Sequence, residues 1–155
     1  MGMILIAAAI AGAAAVLAVL ALEVTSSDAS TGPATVRVTT REVRYRRVDV
    51  GVRGRSPGDL EIVTALIYNR RITPRAFGHF ELVCTFTIGP SRSCQGTLFL
   101  PKGKIVVAGP IYIRSFYQVA VVGGTGLYDN GRGTLTATRV TRRPRGELLL
   151  VRLLG

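Results

Sequence analysis

From Phe80 to Ile88 the chain alternates. Phe80, Leu82, Cys84, Phe86 and Ile88 fall on one side of an extended strand, with Glu81, Thr85 and Thr87 on the other. A period of two with one apolar side predicts a strand that packs one face inward. Similar runs, rich in β-branched and aromatic residues, recur along the chain between clusters of Gly, Pro, Asn and Asp, and no segment after Pro33 keeps a helical period. Eight strands are predicted, over 34–50, 59–68, 78–88, 93–100, 105–109, 116–122, 133–141 and 147–154. The first is interrupted near Thr40, where apolar parity passes from Val36 and Val38 to Val43 and Tyr45, as a β-bulge would cause. Gly89-Pro90-Ser91, Pro101-Lys102-Gly103, Asp129-Asn130-Gly131 and Arg143-Pro144-Arg145-Gly146 carry turn chemistry and leave no room for a crossover helix. Eight antiparallel strands at this spacing form an up-and-down barrel or a sandwich. Ile105-Val106-Val107, Val119–Val122 and Leu148–Val151 are apolar on both faces. That suits a barrel lined inside and covered outside by a partner subunit or a terminal segment.

The first 22 residues follow another rule. Gly2 to Leu22 carries no polar side chain, enough for one helix across a bilayer. A secretory signal has the same apolar core, and small residues at Val19-Leu20-Ala21 and Ser27-Asp28-Ala29 offer cleavage sites. No Lys or Arg precedes Glu23, so a retained anchor stays open beside a removed signal. Residues 1–22 are therefore read as a signal peptide or membrane anchor, and 23–33 as a polar linker. Residues 34–155 form one all-β domain, long enough to bury a core. The protein is expected to be secreted, or else anchored by residues 2–22.

The formal net charge is +11, and all but two of the 20 basic residues are arginine. Such a charge permits contact with nucleic acid or with an anionic surface. The arginines are spread along the chain and no RNP-like motif is present, so nucleic acid is not an expected partner. An anionic lipid or wall polymer stays possible for the basic exterior. Two cysteines, Cys84 and Cys94, and one histidine, His79, are too few for a common zinc site, and no metal or cofactor is expected.

Three stretches resemble a known family. Ser56-Pro57-Gly58-Asp59-Leu60, followed by Ile67-Tyr68-Asn69, is similar to the segment near the start of allene oxide cyclases and their bacterial barrel relatives. Lys102 to Pro110 (KGKIVVAGP) resembles a later strand of the same group. Val119 to Tyr128 (VAVVGGTGLY), with Gly131-Arg132-Gly133, resembles a signature that those cyclases share with dirigent proteins. The resemblance implies an eight-stranded closed antiparallel barrel, commonly trimeric, with an apolar cavity. It also implies cofactor-free guidance of a cyclisation or a stereoselective coupling. The alternative is a non-catalytic secreted binding or structural module with a basic exterior.

Several residues stand out as candidates. Gly123-Gly124-Thr125-Gly126 lacks the third glycine of a dinucleotide loop and leads into a strand, so its glycines are read as turn and close-packing positions. Cys84 and Cys94 flank the Gly89-Pro90 turn symmetrically, which favours a cross-strand disulfide. By resemblance Cys84 falls near the cavity cysteine of plant cyclases, so a catalytic thiol competes with the disulfide. Glu42 and Asp49 are the acids on the first strand, and neither matches the family's catalytic context. His79 alternates to the outside, and Tyr68, Tyr117 and Tyr128 are read as rim or interface residues. Leu60, Ile62, Phe80, Leu82, Phe86, Leu98, Val119 and Val121 are expected to line the interior, either around a small apolar ligand or filling the barrel outright.

Overall fold

The computed structural model describes residues 34–69 and 75–154. The apolar segment at 1–22 and the linker at 23–33 lie outside the described residues.

Eight strands close into one antiparallel barrel in chain order: β1 (Ala34–Val48), β2 (Leu60–Tyr68), β3 (Gly78–Phe86), β4 (Arg92–Leu100), β5 (Gly103–Ile111), β6 (Phe116–Gly124), β7 (Arg132–Arg142) and β8 (Arg145–Leu154). Closure depends on the length of β1. Its first half pairs with β8, from Ala34 opposite Leu153 to Arg41 opposite Gly146. Its second half pairs with β2, from Thr39 opposite Tyr68 to Val48 opposite Leu60. The register slips between Glu42 and Arg44, making Val43 the extra residue of a bulge. Before it Val38, Thr40 and Glu42 point inward; after it Tyr45 and Arg47 reach the interior carboxylates. The parity switch expected near Thr40 thus falls a few residues later.

The barrel has two unlike ends. Half-way along and toward the end that holds Ala34, the interior is solid: Ile67, Leu98, Ile105, Leu135, Leu149 and Val151 have no measurable exposure. A 3-10 turn, Gly126–Tyr128, folds back against β5 at this end, with the Leu127 amide donating to the Lys102 carbonyl. Gly124 and Gly126 make this fold-back feasible. A Cβ at Gly124 would stand 2.1 Å from the Tyr128 carbonyl oxygen, and Gly126 has φ +63° with the Lys102 carbonyl 2.5 Å from any added Cβ. Gly123 departs from expectation: a Cβ there meets nothing within 4 Å, so it is not a close-packing position.

At the opposite end, the mouth, the loop from β1 to β2 is held by one buried aspartate. Asp59 accepts hydrogen bonds from the Val50 amide (2.9 Å), the Ser56 amide (3.0 Å) and Arg47 (2.5 Å). The motif Ser56-Pro57-Gly58-Asp59 is therefore a loop clamp. Asp49 has a similar local task, accepting from the Gly54 amide at 3.0 Å. The Val50 amide first, then Arg47 and the Ser56 amide, hold the Asp59 carboxyl well below the usual carboxylate range. A carboxyl with a depressed folded-state value contributes stability above its unfolded value, about 3.9, and loses it as pH falls further. Acid titration of the wild type is expected to show stability falling below about pH 4, and Asp59→Asn to flatten that fall. Identical acid profiles would refute the assignment.

Candidate active site at the barrel mouth

Two glutamates point into the barrel near its mouth, and each is surrounded by donors. Glu61 on β2 is 2 % exposed. It accepts from the Tyr45 hydroxyl at 2.8 Å and from Arg92 Nη1 at 3.2 Å, with Arg114 Nη1 at 3.6 Å. Glu147 on β8 accepts from the Tyr117 hydroxyl at 2.9 Å and from Arg145 Nε at 2.8 Å, and Arg145 Nη2 makes a second short contact. Arg145 also donates to the Arg114 carbonyl, and the Thr40 hydroxyl to the Glu147 carbonyl. Each carboxylate is thus matched to a phenol and at least one guanidinium, which is how a buried charge is tolerated. Burial first, then Glu147, pushes the Tyr117 phenol well above its ordinary value; Tyr45 is raised in the same way by burial and Glu61. Both phenols therefore stay protonated at neutral pH and serve as hydrogen-bond donors.

Beneath these groups lies a small pocket of about 20 Å³. Val63, Ala65, Phe80, Leu82, Cys84 and Ile111 form its apolar walls, and Arg92, Tyr117 and Glu147 its polar side. That volume is on the order of one water molecule. Outside it a vestibule of about 240 Å³ is lined by Glu42, Tyr45, Arg114, Arg139, Arg142 and Arg145. Among the described residues, no group of three or more His, Cys, Asp or Glu side chains is placed to hold a metal.

No family model and no curated protein sequence matches the chain. Solved structures do. A pyocyanin demethylase superposes with a TM-score of 0.67 at 24% identity, over 77% of this chain and 99% of that one. The pterocarpan synthase dirigent protein PsPTS1 gives 0.64 at 12% identity, over 81% and 96%. The exo-specific intermolecular Diels-Alderase AbnU gives 0.59 at 13% identity, over 78% and 98%. The chain shares the eight-stranded barrel fold of these proteins.

Within this barrel the residues singled out from sequence are placed unevenly. Phe80 and Leu82 line the pocket. Leu98, Val119 and Val121 are buried in the core away from it, and Phe86 is sealed beneath the guanidiniums of Arg47, Arg55 and Arg92 at 5.9, 4.9 and 5.5 Å from its ring. Leu60 and Ile62 require correction. They lie on the outer face of β2, half-buried, and the inward set is Glu61, Val63, Ala65 and Ile67. The alternation of β2 is apolar on both sides, and the buried ion pair with Arg92 draws Glu61 in against its polarity.

Cys84 and Cys94 face each other across β3 and β4 with their Cα atoms 4.0 Å apart, and their sulfurs are bonded. Cys84 therefore lines the pocket as half of a disulfide, and offers no thiol in this structure. His79 stacks on Phe99 with ring centres 4.2 Å apart, beside Glu81 on the outer surface. Tyr128 packs against the core and Tyr68 is buried under Arg41. Tyr117 is not a rim residue: it reaches the pocket. Glu61, Arg92, Tyr117 and Glu147 were not legible as a site. Each stands in a strand whose other positions supply enough apolar residues to hide it.

Proposed function

We propose that the barrel takes a small, largely apolar organic molecule into its mouth and holds it in the conformation from which it cyclises or couples. The observation that carries this reading is the Tyr117–Glu147 pair, set against the apolar walls of Val63, Ala65, Phe80, Leu82 and Ile111. An apolar body rests on those walls, and a ligand oxygen or nitrogen is fixed by a phenol or carboxylate at the polar side. Restricting the ligand's rotations in a water-poor site lowers an intramolecular barrier without a cofactor. Support also comes from the fold shared with proteins described as a dirigent pterocarpan synthase and a Diels-Alderase. Because the pocket is small, the ligand enters by displacing side chains at its rim, of which Arg114 is the more exposed and Arg145 the less.

The setting we propose is outside the cytoplasm, where the Cys84–Cys94 bond persists, with copies associating through exposed outer-face residues such as Val83, Phe116 and Val122. A filled, non-catalytic barrel is the second reading, and the pocket volume of about 20 Å³ is what favours it.

Melting curves recorded with a panel of fatty acids, polyketides and phenolics separate the two. A ligand at a hundred times its Kd adds about 2.7 kcal/mol, a rise on the order of 5–10 °C for a domain of this size. Tyr117→Phe is expected to shrink that rise at equal ligand concentration. A flat response across every class would support the filled barrel.

A further inference from the structure

The mouth carries more positive charge than its carboxylates balance. Around the pocket and vestibule stand the guanidiniums of Arg92, Arg114, Arg139, Arg142 and Arg145, against the carboxylates of Glu42, Glu61 and Glu147. Glu61 is shared by Arg92 and Arg114, and Glu147 is taken by Arg145. Among the described residues Arg139 and Arg142 have no carboxylate within ion-pair distance. Arg139 Nε is moreover buried without a hydrogen-bond acceptor. A buried donor with no acceptor is costly, and a guanidinium more so, which makes such a group an open valence for an incoming anion. Arg139 lines both the vestibule and an adjoining hollow with Ser115, Val140, Thr141 and Arg142. Burial first, then the neighbouring Arg145, holds Arg139 below the usual arginine range, a strain that a bound anion relieves.

We infer that the vestibule takes the carboxylate of an amphiphilic ligand, gripped by Arg139 and Arg142, while the ligand's apolar part reaches toward the pocket below. This rests on the ligand-binding reading above and adds the chemical class of the ligand. A single planar negative charge fits the fork of a guanidinium.

Calorimetric titration of the full-length protein with 2-naphthoate and with 2-naphthamide tests it, because the two share a ring system and differ in charge. The expected result is at least tenfold tighter binding of the naphthoate. That preference is expected to shrink as salt is raised and to fall to near unity in an Arg139→Gln, Arg142→Gln double variant, with naphthamide affinity unchanged. Equal affinity for both compounds in the wild type would overturn the carboxylate assignment and leave the apolar-ligand reading standing. A preference that survives in the double variant would overturn the assignment to these arginines. Binding of neither compound would overturn the inference together with the reading beneath it. The wild-type comparison needs no substitution, so it holds even if the double variant folds poorly.

Discussion

Glu61→Ala is expected to lower the stability of the barrel by about 3–5 kcal/mol, because it strands a buried guanidinium. Arg92 is 5 % exposed and already has an Nε without a partner. Glu61 supplies its ion pair at 3.2 Å and also anchors Tyr45 and Arg114. Burial pulls the Arg92 guanidinium below its ordinary range and Glu61 opposes that pull. Removing Glu61 leaves the desolvation cost of Arg92 in place and takes away what offsets it. Arg92→Met is expected to be damaging for the mirror-image reason. The double substitution Glu61→Leu, Arg92→Met removes both charges together, and buried pairs replaced by apolar residues of similar size are often near neutral. Urea midpoints of Glu61→Leu, Arg92→Met and the double are therefore expected to be strongly non-additive, with the double more stable than Glu61→Leu alone. Simple addition of the two losses would mean that the pair is not a coupled unit.

Losing the disulfide is expected to have the next largest effect. The bond joins residues 10 apart in sequence, and closing a loop of that size removes about 3 kcal/mol of unfolded-state entropy. Cys84→Ala, Cys94→Ala is thus expected to reduce stability by about 2–4 kcal/mol, and reducing agent to bring the wild type close to that variant. Because Cys84 also lines the pocket, the variant is expected to blunt ligand-induced melting shifts as well. Intact-mass measurement on protein from its natural host reads the bond directly, as a mass lower by two hydrogens, and reports whether the mature chain starts near Leu22 or Ser30. Two free thiols on a full-length, membrane-bound product would overturn the disulfide and the cleavage of the leader together.

The strand pattern was legible because turns and alternation are local. All eight strands formed where apolar runs met turn residues, and the Cys84–Cys94 pairing followed from symmetry about Gly89-Pro90. Facing was legible only where one side of a strand is clearly polar. β3, with Glu81 outside, came out in phase, whereas β2 did not. Both faces of Leu60-Glu61-Ile62-Val63 are mostly apolar, and the only charge on the strand is the residue that turns inward. What decides its phase is the register that sets Glu61 opposite the inward-facing Cys84. The long connection between Tyr68 and Gly78 leaves that register unspecified in sequence. The mouth was hidden for a related reason. Glu61, Arg92, Tyr117 and Glu147 come from four strands, and only closure of the sheet brings them together.

The antiparallel seam between β1 and β8 also fixes how the molecule is presented to its surroundings. Ala34 and Leu153 sit side by side at the solid end, and the arginine-lined opening is at the other. A leash or affinity handle joined ahead of Ala34 or behind Leu154 pulls on the base of the cup. Such a tether leaves the opening turned away from the support. Solutes then reach the mouth without threading past the attachment.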